Sequence, residues 1–328
     1  MNVKSRMRIG AGIGAAALGL GALAVPAAYA DPNPVTELRQ LAGSGSDTTQ
    51  DVLNGLGDVV KDSANAKVIA SWNATGSSRI TTKSTAACTD IARPNGSSAG
   101  IDALRAAVDN GTGCFDFARS SRGPVDTSTT DLTWLRYAKD AVSWAKTSGS
   151  ALPSNLTKAQ LKNIYECNLT SLNGVTLTPV LPQANSGTRQ FFLQSIEVTT
   201  PGTCVQQGVQ ENDGTVLDSA GDIVPFSVAQ YIAQEKFTVE NRLGDAALGG
   251  IDGVAPRVAT DGNKLNTAFP LARDVYNVVP TGKLTDAKIA STFVGSGSKV
   301  CAAAATITDY GFGTLGADCG AQAFQAER

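Results

Sequence analysis

Two short segments set glycines, hydroxyls and free backbone amides directly ahead of a stretch with helical apolar spacing. Gly43-Ser44-Gly45-Ser46-Asp47-Thr48-Thr49 leads into Gln50-Asp51-Val52-Leu53-Asn54-Gly55-Leu56, and Asn185-Ser186-Gly187-Thr188-Arg189 leads into Gln190-Phe191-Phe192-Leu193. The first turn of a helix has N–H groups with no partner inside the helix, and that end carries partial positive charge. A loop of this kind therefore suits a small anion. The competing reading is plain N-capping, by Ser46, Asp47 or Thr48 in the first case, and a capped helix in the second as well. No Gly-Lys-Ser/Thr follows either set of glycines, so neither is a P-loop, and neither has the G-x-S-x-G form of a nucleophile elbow.

Two more strand ends present small polar groups. Trp72 is followed by Asn73-Ala74-Thr75-Gly76-Ser77-Ser78-Arg79, and Phe117-Ala118-Arg119 by Ser120-Ser121-Arg122-Gly123-Pro124. Ligands of open α/β sheets sit beyond the carboxyl ends of strands. Four loops of one format predict a small polar ligand.

Composition removes most catalytic alternatives. The 328 residues contain no histidine, which excludes a Ser-His-Asp triad, a Cys-His dyad and a His-ligated zinc site. With Lys+Arg 27 against Asp+Glu 29, no basic surface argues for nucleic acid. A hydrolase built on Ser186 or a carboxylate pair is the catalytic option left, and no nucleophile motif supports it. The expectation is a binding protein, not an enzyme, with no cofactor and no metal.

Positioning these loops requires strands and helices in alternation. Lys67–Trp72, Phe115–Ala118, Asp140–Trp144, Val175–Leu181 and Arg273–Val279 read as strands. Helices are predicted over Ile101–Val108, from Leu156 with Thr157 as N-cap, over Val228–Lys236, and after a cap at Thr285. Val52, Leu53, Leu56, Val59 and Val60 would form one buried helix face. Gly208–Gly221 and Gly244–Lys264 read as polar, glycine-rich loops. Alternation of this kind argues an α/β architecture with mainly parallel pairing.

The first thirty residues read as an address. Lys4, Arg6 and Arg8 precede an uncharged run from Ile9 to Ala27, and Ala28-Tyr29-Ala30 forms an A-x-A site before Asp31. That is the layout of a cleaved secretory signal peptide, 1–30, with an uncleaved anchor as the alternative. The segment has no cysteine to carry a lipid anchor, so a secreted or periplasmic protein is expected. All six cysteines lie beyond it, and an even number in an oxidising compartment favours disulfides. Fifteen pairings are open. Proximity along the chain suggests Cys88–Cys114, Cys167–Cys204 and Cys301–Cys319.

The ordered set of loops resembles the secreted phosphate-binding proteins of ABC importers, the PstS-like branch of the type II periplasmic-binding-protein fold. A G-A-G-A-T-F loop of that family matches Gly43–Thr48, and a G-S-S-G-G loop matches Gly76–Ile80. An F-G-A-S-D strand end matches Phe117–Ser121, and an R-x-D-G-S-G-T loop matches Pro182–Thr188. Leu156–Tyr165 resembles the family helix between the second and fourth loops, and the likeness runs from about Leu41 to Tyr276. Pro182 stands where the family has its phosphate-pairing Arg, and Ser121 where it has its proton-accepting Asp. Arg122 or Arg189 is a candidate replacement for the cation, and Asp47 for the carboxylate.

The resemblance implies a two-lobed α/β protein with a hinge and an inter-lobe cleft. Lobe one would hold 41–138 plus 280–328, and lobe two 139–279, with crossings near Asp140–Val142 and Arg273–Val275. The ligand set it implies is Ser46, Asp47, Thr48, Gly76, Ser77, Ser121, Arg122, Asn185, Ser186, Gly187 and Thr188 around a small oxyanion, phosphate first. An ABC-transporter permease is the implied partner, and the chain would be a monomer. The alternative keeps the fold but makes the protein an extracellular interaction or adhesion module with a diverged or empty cleft.

Overall fold

A computed structural model describes residues 31–32 and 39–328 of the chain. The expected signal peptide lies outside the described residues. Among the described residues, no helix is long and apolar enough to cross a membrane.

Ten strands form one sheet. They are β1 (Leu41–Gly45), β2 (Ile69–Ser71), β3 (Phe117–Ser120), β4 (Leu132–Thr147), β5 (Thr178–Pro182), β6 (Gln206–Val209), β7 (Asp222–Ser227), β8 (Ala246–Leu248), β9 (Ala272–Pro280) and β10 (Gln322–Ala326). The order is β6-β5-β7-β4-β9-β3-β1-β2, with β8 and β10 also paired to β4. The helices are α1 (Gln50–Val59), α2 (Ser97–Asp109), α3 (Lys158–Tyr165), α4 (Gly187–Ser195), α5 (Val228–Glu235), α6 (Ala287–Phe293), α7 (Lys299–Ala302) and α8 (Ala304–Asp309).

Within this sheet, pairing is parallel only in β2-β1-β3 and β6-β5-β7. The expectation of mainly parallel pairing missed the two long strands: β9 runs antiparallel to β3, β4 runs antiparallel to β7, and the two are antiparallel to each other. The 16-residue β4 meets β9 and β10 along its first part and β7 and β8 along its last. β4 and β9 pair with each other over residues 132–141 and Ala272–Pro280, in the middle of the sheet. Arg273 sits opposite Asp140 in their register.

Strand periodicity divides the apolar residues between two faces at each end of the sheet. Leu41, Ile69, Phe117, Leu135, Val275 and Val279 join α1, α6, α7 and α8 in one core. Their alternates Ala42, Ala70, Ala118, Trp134, Tyr276 and Val278 join α2 in another. Toward the other end, Val142, Trp144, Leu181 and Ile223 pack with α3 and α4, while Ala145, Val180, Val224 and Phe226 face the opposite way. The three disulfides are Cys88–Cys114, Cys167–Cys204 and Cys301–Cys319, the pairing suggested by proximity.

Three local expectations change. Val59 is exposed, so the buried face of α1 ends at Leu56 and resumes at Val60. Asp286, not Thr285, caps α6, its carboxylate accepting from the Lys288 and Ile289 amides. An anionic acceptor at a helix N-terminus gains from the helix dipole, which a hydroxyl does not. The segments read as glycine-rich loops contain β8 and part of β6, short strands that join the sheet through β4 and β5.

Candidate functional site

The loop from β1 to α1 turns at Gly45, whose φ of +130° belongs to glycine. A Cβ there would stand 2.6 Å from the Arg119 carbonyl oxygen. Arg119 lies beneath this loop, fully buried, with Nε donating to the Ser46 carbonyl at 3.1 Å and Nη1 to Ser71 Oγ at 2.8 Å. Burial lowers its pKa to about 10, while neighbouring groups including Asp47 and Asp51 work to raise it. The guanidinium therefore stays a fixed positive charge under the loop.

Capping does not account for what this loop does. The N-cap of α1 is Thr49, and no side chain there accepts from the helix amides. Ser46, Asp47 and Thr48 are instead wholly buried, Asp47 and Thr48 against the segments that carry Glu211 and Thr188. Thr48 Oγ1 lies 3.0 Å from Thr188 Oγ1, and Ser46 Oγ donates to Ser121 Oγ at 3.1 Å. In the second loop Ser186 does cap, accepting from the Arg189 amide at 3.0 Å. Its own hydroxyl proton goes to Glu211.

Glu211 is the residue that sequence reasoning missed. Its carboxylate accepts from the Asp47 amide at 3.2 Å, from the Ser186 hydroxyl and from the Thr188 backbone. The two residues beside it hold Asp47. Gln210 Nε2 donates to Asp47 Oδ2 at 3.1 Å, and Asn212 Nδ2 donates to Asp47 Oδ1 at 2.9 Å. Arg242 Nη2 stands 3.7 Å from the same carboxylate. Glu211 is fully buried, and burial first, then the Asp47 charge, pushes its carboxyl up to about 7. The Ser186 hydrogen bond and Arg273 pull it back only in part.

Arg273, which was not a candidate from the sequence, reaches the second loop directly. Its Nη2 donates to Thr188 Oγ1 at 2.9 Å and to Asp140 Oδ2 at 2.8 Å, while Nη1 is buried without a partner. Asp140 Oδ1 in turn accepts from Ser227 Oγ and the Ala229 amide at the start of α5. Arg189 points away, to the Pro182 carbonyl and Gln207. Arg122 lies beside the site, bonded to the Gly123 carbonyl and to Ser98 Oγ.

The remaining candidates divide. Ser121 meets Ser46 and Ser97. At Gly187 the two ends of the molecule approach closely: a Cβ there would stand 2.3 Å from Ser97 Oγ and 2.5 Å from Ser121 Oγ. Asn185 contributes through its backbone, its carbonyl accepting from the Ser98 amide at 3.2 Å. Gly76 and Ser77 are not brought in. They are exposed and fold around Arg93, whose Nη2 donates to Ser77 Oγ at 2.8 Å.

The family model of the PBP superfamily domain matches residues 32–295. The chain belongs to the PBP superfamily. The fold of this PBP-superfamily member is similar to that of a Clostridium perfringens protein assigned as a phosphate ABC transporter substrate-binding protein and solved with bound phosphate. There the identity is 15%, 84% of this chain and 100% of that chain are covered, and the TM-score is 0.57. An ABC-type phosphate transport receptor from Vibrio cholerae matches at 18% identity over 84% of this chain and 100% of that chain, with a TM-score of 0.55. No curated protein matches in sequence. The architecture is thus the two-lobed type II fold, and the PstS-like resemblance holds at the level of that fold.

Proposed function

We propose that this PBP-superfamily protein is an exported solute-binding protein that captures a small oxyanion, phosphate first, in the cleft between its lobes. The lobes would be 41–138 plus 280–328 and 139–279, hinged where β4 and β9 cross. The observation that carries the reading is the convergence of donors from both loops, the Asp47 amide on one side and Ser186 Oγ and the Thr188 backbone on the other, upon a single carboxylate. Donors that satisfy a carboxylate suit the oxygens of phosphate equally. Arg273 stands in for the cation that Pro182 cannot supply, and Asp47 for the carboxylate missing at Ser121.

Magnitudes favour a ligand that keeps a proton. Micromolar capture needs about 8 kcal/mol, and each hydrogen bond to a charged group contributes ~1.5–3 kcal/mol. A like charge at 4 Å costs about 4 kcal/mol at an effective dielectric of 20. A fully ionised dianion beside Asp47 would lose most of what three donors give. A protonated oxyanion that donates to Asp47 would not, so phosphate is favoured over sulfate.

Supply to an ABC importer follows if a permease partner exists, and no catalytic step is proposed. Titration calorimetry with phosphate, arsenate and sulfate tests the reading. Phosphate should bind saturably, and Ser186→Ala should weaken it roughly tenfold or more, the loss of one charge-assisted hydrogen bond. Silence with every oxyanion would leave the second reading, an extracellular interaction module. The engagement of the Asp47 amide and the Ser186 hydroxyl by Glu211 favours that alternative.

A further inference from the structure

The group that fills the anion position is part of the chain. Every hydrogen bond to the Glu211 carboxylate comes from the loops that face each other across the cleft. We propose that Glu211 is a tethered competitor for the cleft, so that an oxyanion enters by exchange with this carboxylate and not into an empty site. The inference rests on the oxyanion-binding reading and adds that the protein carries its own occupant.

The surroundings fit an exchangeable occupant. Gln210 and Asn212 bind Asp47 through side-chain amides, so the 210–212 segment lies along the β1–α1 loop as a ligand would. The segment leaves β6, an edge strand paired only to β5, whose residues Gln206, Gln207 and Gly208 are exposed. Its withdrawal would therefore disturb the margin of the sheet and not its centre. On its far side Asn212 is anchored to α5, its carbonyl accepting from Gln234 Nε2 at 2.9 Å and its Oδ1 from the Ser227 amide at 3.1 Å. The movable part thus ends at Asn212.

The charges around Glu211 make ionisation its weak point. Asp47 faces it from the β1–α1 loop, with Asp51 behind on α1, and Arg119 from β3 lies beneath that loop. Arg273 faces it from β9 but is already paired with Asp140 of β4. Arg242, from the connection between α5 and β8, is directed at Asp47. The charge on α4, Arg189, turns outward to Gln207. A protonated Glu211 loses an acceptor site and competes less for the same amides, so solute exchange becomes easier as pH falls through about 7.

A tethered group competes at an effective concentration in the millimolar range, which weakens the apparent affinity for a free ligand. The test is calorimetric titration of phosphate into the wild-type protein, Glu211→Ala and the isosteric Glu211→Gln, at about pH 6 and about pH 8. Both variants should bind phosphate at least tenfold tighter than wild type at the higher pH. The wild-type disadvantage should shrink at the lower pH, with Glu211→Gln carrying the pH dependence that belongs to phosphate itself. Equal or weaker binding by both variants, with wild type still binding, overturns the competitor and leaves the oxyanion cleft standing. No binding by any of the three proteins overturns both. Thermal melting of each variant, with cooperative unfolding as the criterion, shows that a null result is not a failure to fold.

Discussion

The hydroxyls of Thr48 and Thr188, 140 residues apart in sequence, meet at 3.0 Å with no solvent access to either. Thr48 also accepts from Asn212 Nδ2 at 3.2 Å, and Thr188 from Arg273 Nη2 at 2.9 Å. The pair is therefore one of the places where the two halves of the molecule exchange hydrogen bonds directly. Thr48→Val and Thr188→Val should each destabilise by ~1–3 kcal/mol, because a buried amide or guanidinium loses its acceptor. The double variant should fall short of the sum by ~0.5–1.5 kcal/mol, the coupling of two groups in contact. Urea unfolding of the four proteins measures it, and strict additivity would mean that the hydroxyls do not interact.

Asp140 and Arg273 make the second link, directly opposite each other on the long strands β4 and β9. Both are buried, and Asp140 also holds the start of α5 through Ser227 and the Ala229 amide. Removing one charge strands the other in a low-dielectric site, at a cost of ~3–5 kcal/mol. Asp140→Asn and Arg273→Met should each show that loss in equilibrium unfolding. Together they should cost less than the sum, since the double variant leaves no orphan charge.

Much of this was legible in the residues. The apolar spacing of α2, α3 and α5 and the alternation of the strands follow from local chemistry that tertiary packing did not override. Thr157 is the N-cap of α3 with a full capping box through Gln160, as its position ahead of the apolar run predicts. The glycine-and-hydroxyl pattern marked two loops that the fold brings into contact. Glu211 was not legible, because a carboxylate in a polar, glycine-rich stretch looks the same whether solvated or buried. Only the fold brings Asp47 within reach of it. The Asp140–Arg273 pair was hidden for a related reason: it depends on the register of two strands 133 residues apart. Gly76 and Ser77 had the right residue types, but Arg93 holds their loop on the outside.

The buried acids fix the direction of the pH dependence. Glu211 is pushed from 4.5 up to about 7 and Asp51 from 3.8 up to about 6, burial being the main cause for both. Between the unfolded and folded values the folded protein binds more protons, so stability falls as pH rises. The contribution is complete below the unfolded values and gone once pH has passed about 7. The melting temperature should therefore drop between about pH 5 and about pH 8. Glu211→Gln should flatten that fall, leaving the part that belongs to Asp51. An unchanged profile in the variant would place the titrating group elsewhere.

Gly187 tests how tightly the two halves are closed. The space where its Cβ would go is held by the hydroxyls of Ser97 and Ser121, at 2.3 Å and 2.5 Å. Both serines are buried and bonded to one another, so neither can turn away without losing a partner. Gly187→Ala should thus act as a wedge, costing ~1–3 kcal/mol of stability by overpacking. Removing the nearer obstruction with Ser97→Ala in the same chain should recover part of the loss, although Ser97→Ala alone is destabilising because the Ser121 amide then lacks its acceptor. Small-angle scattering separates the two ways of relieving the strain. A larger radius of gyration in Gly187→Ala means the lobes have parted at the hinge strands, whereas an unchanged radius with a lower melting temperature means the serines have yielded locally.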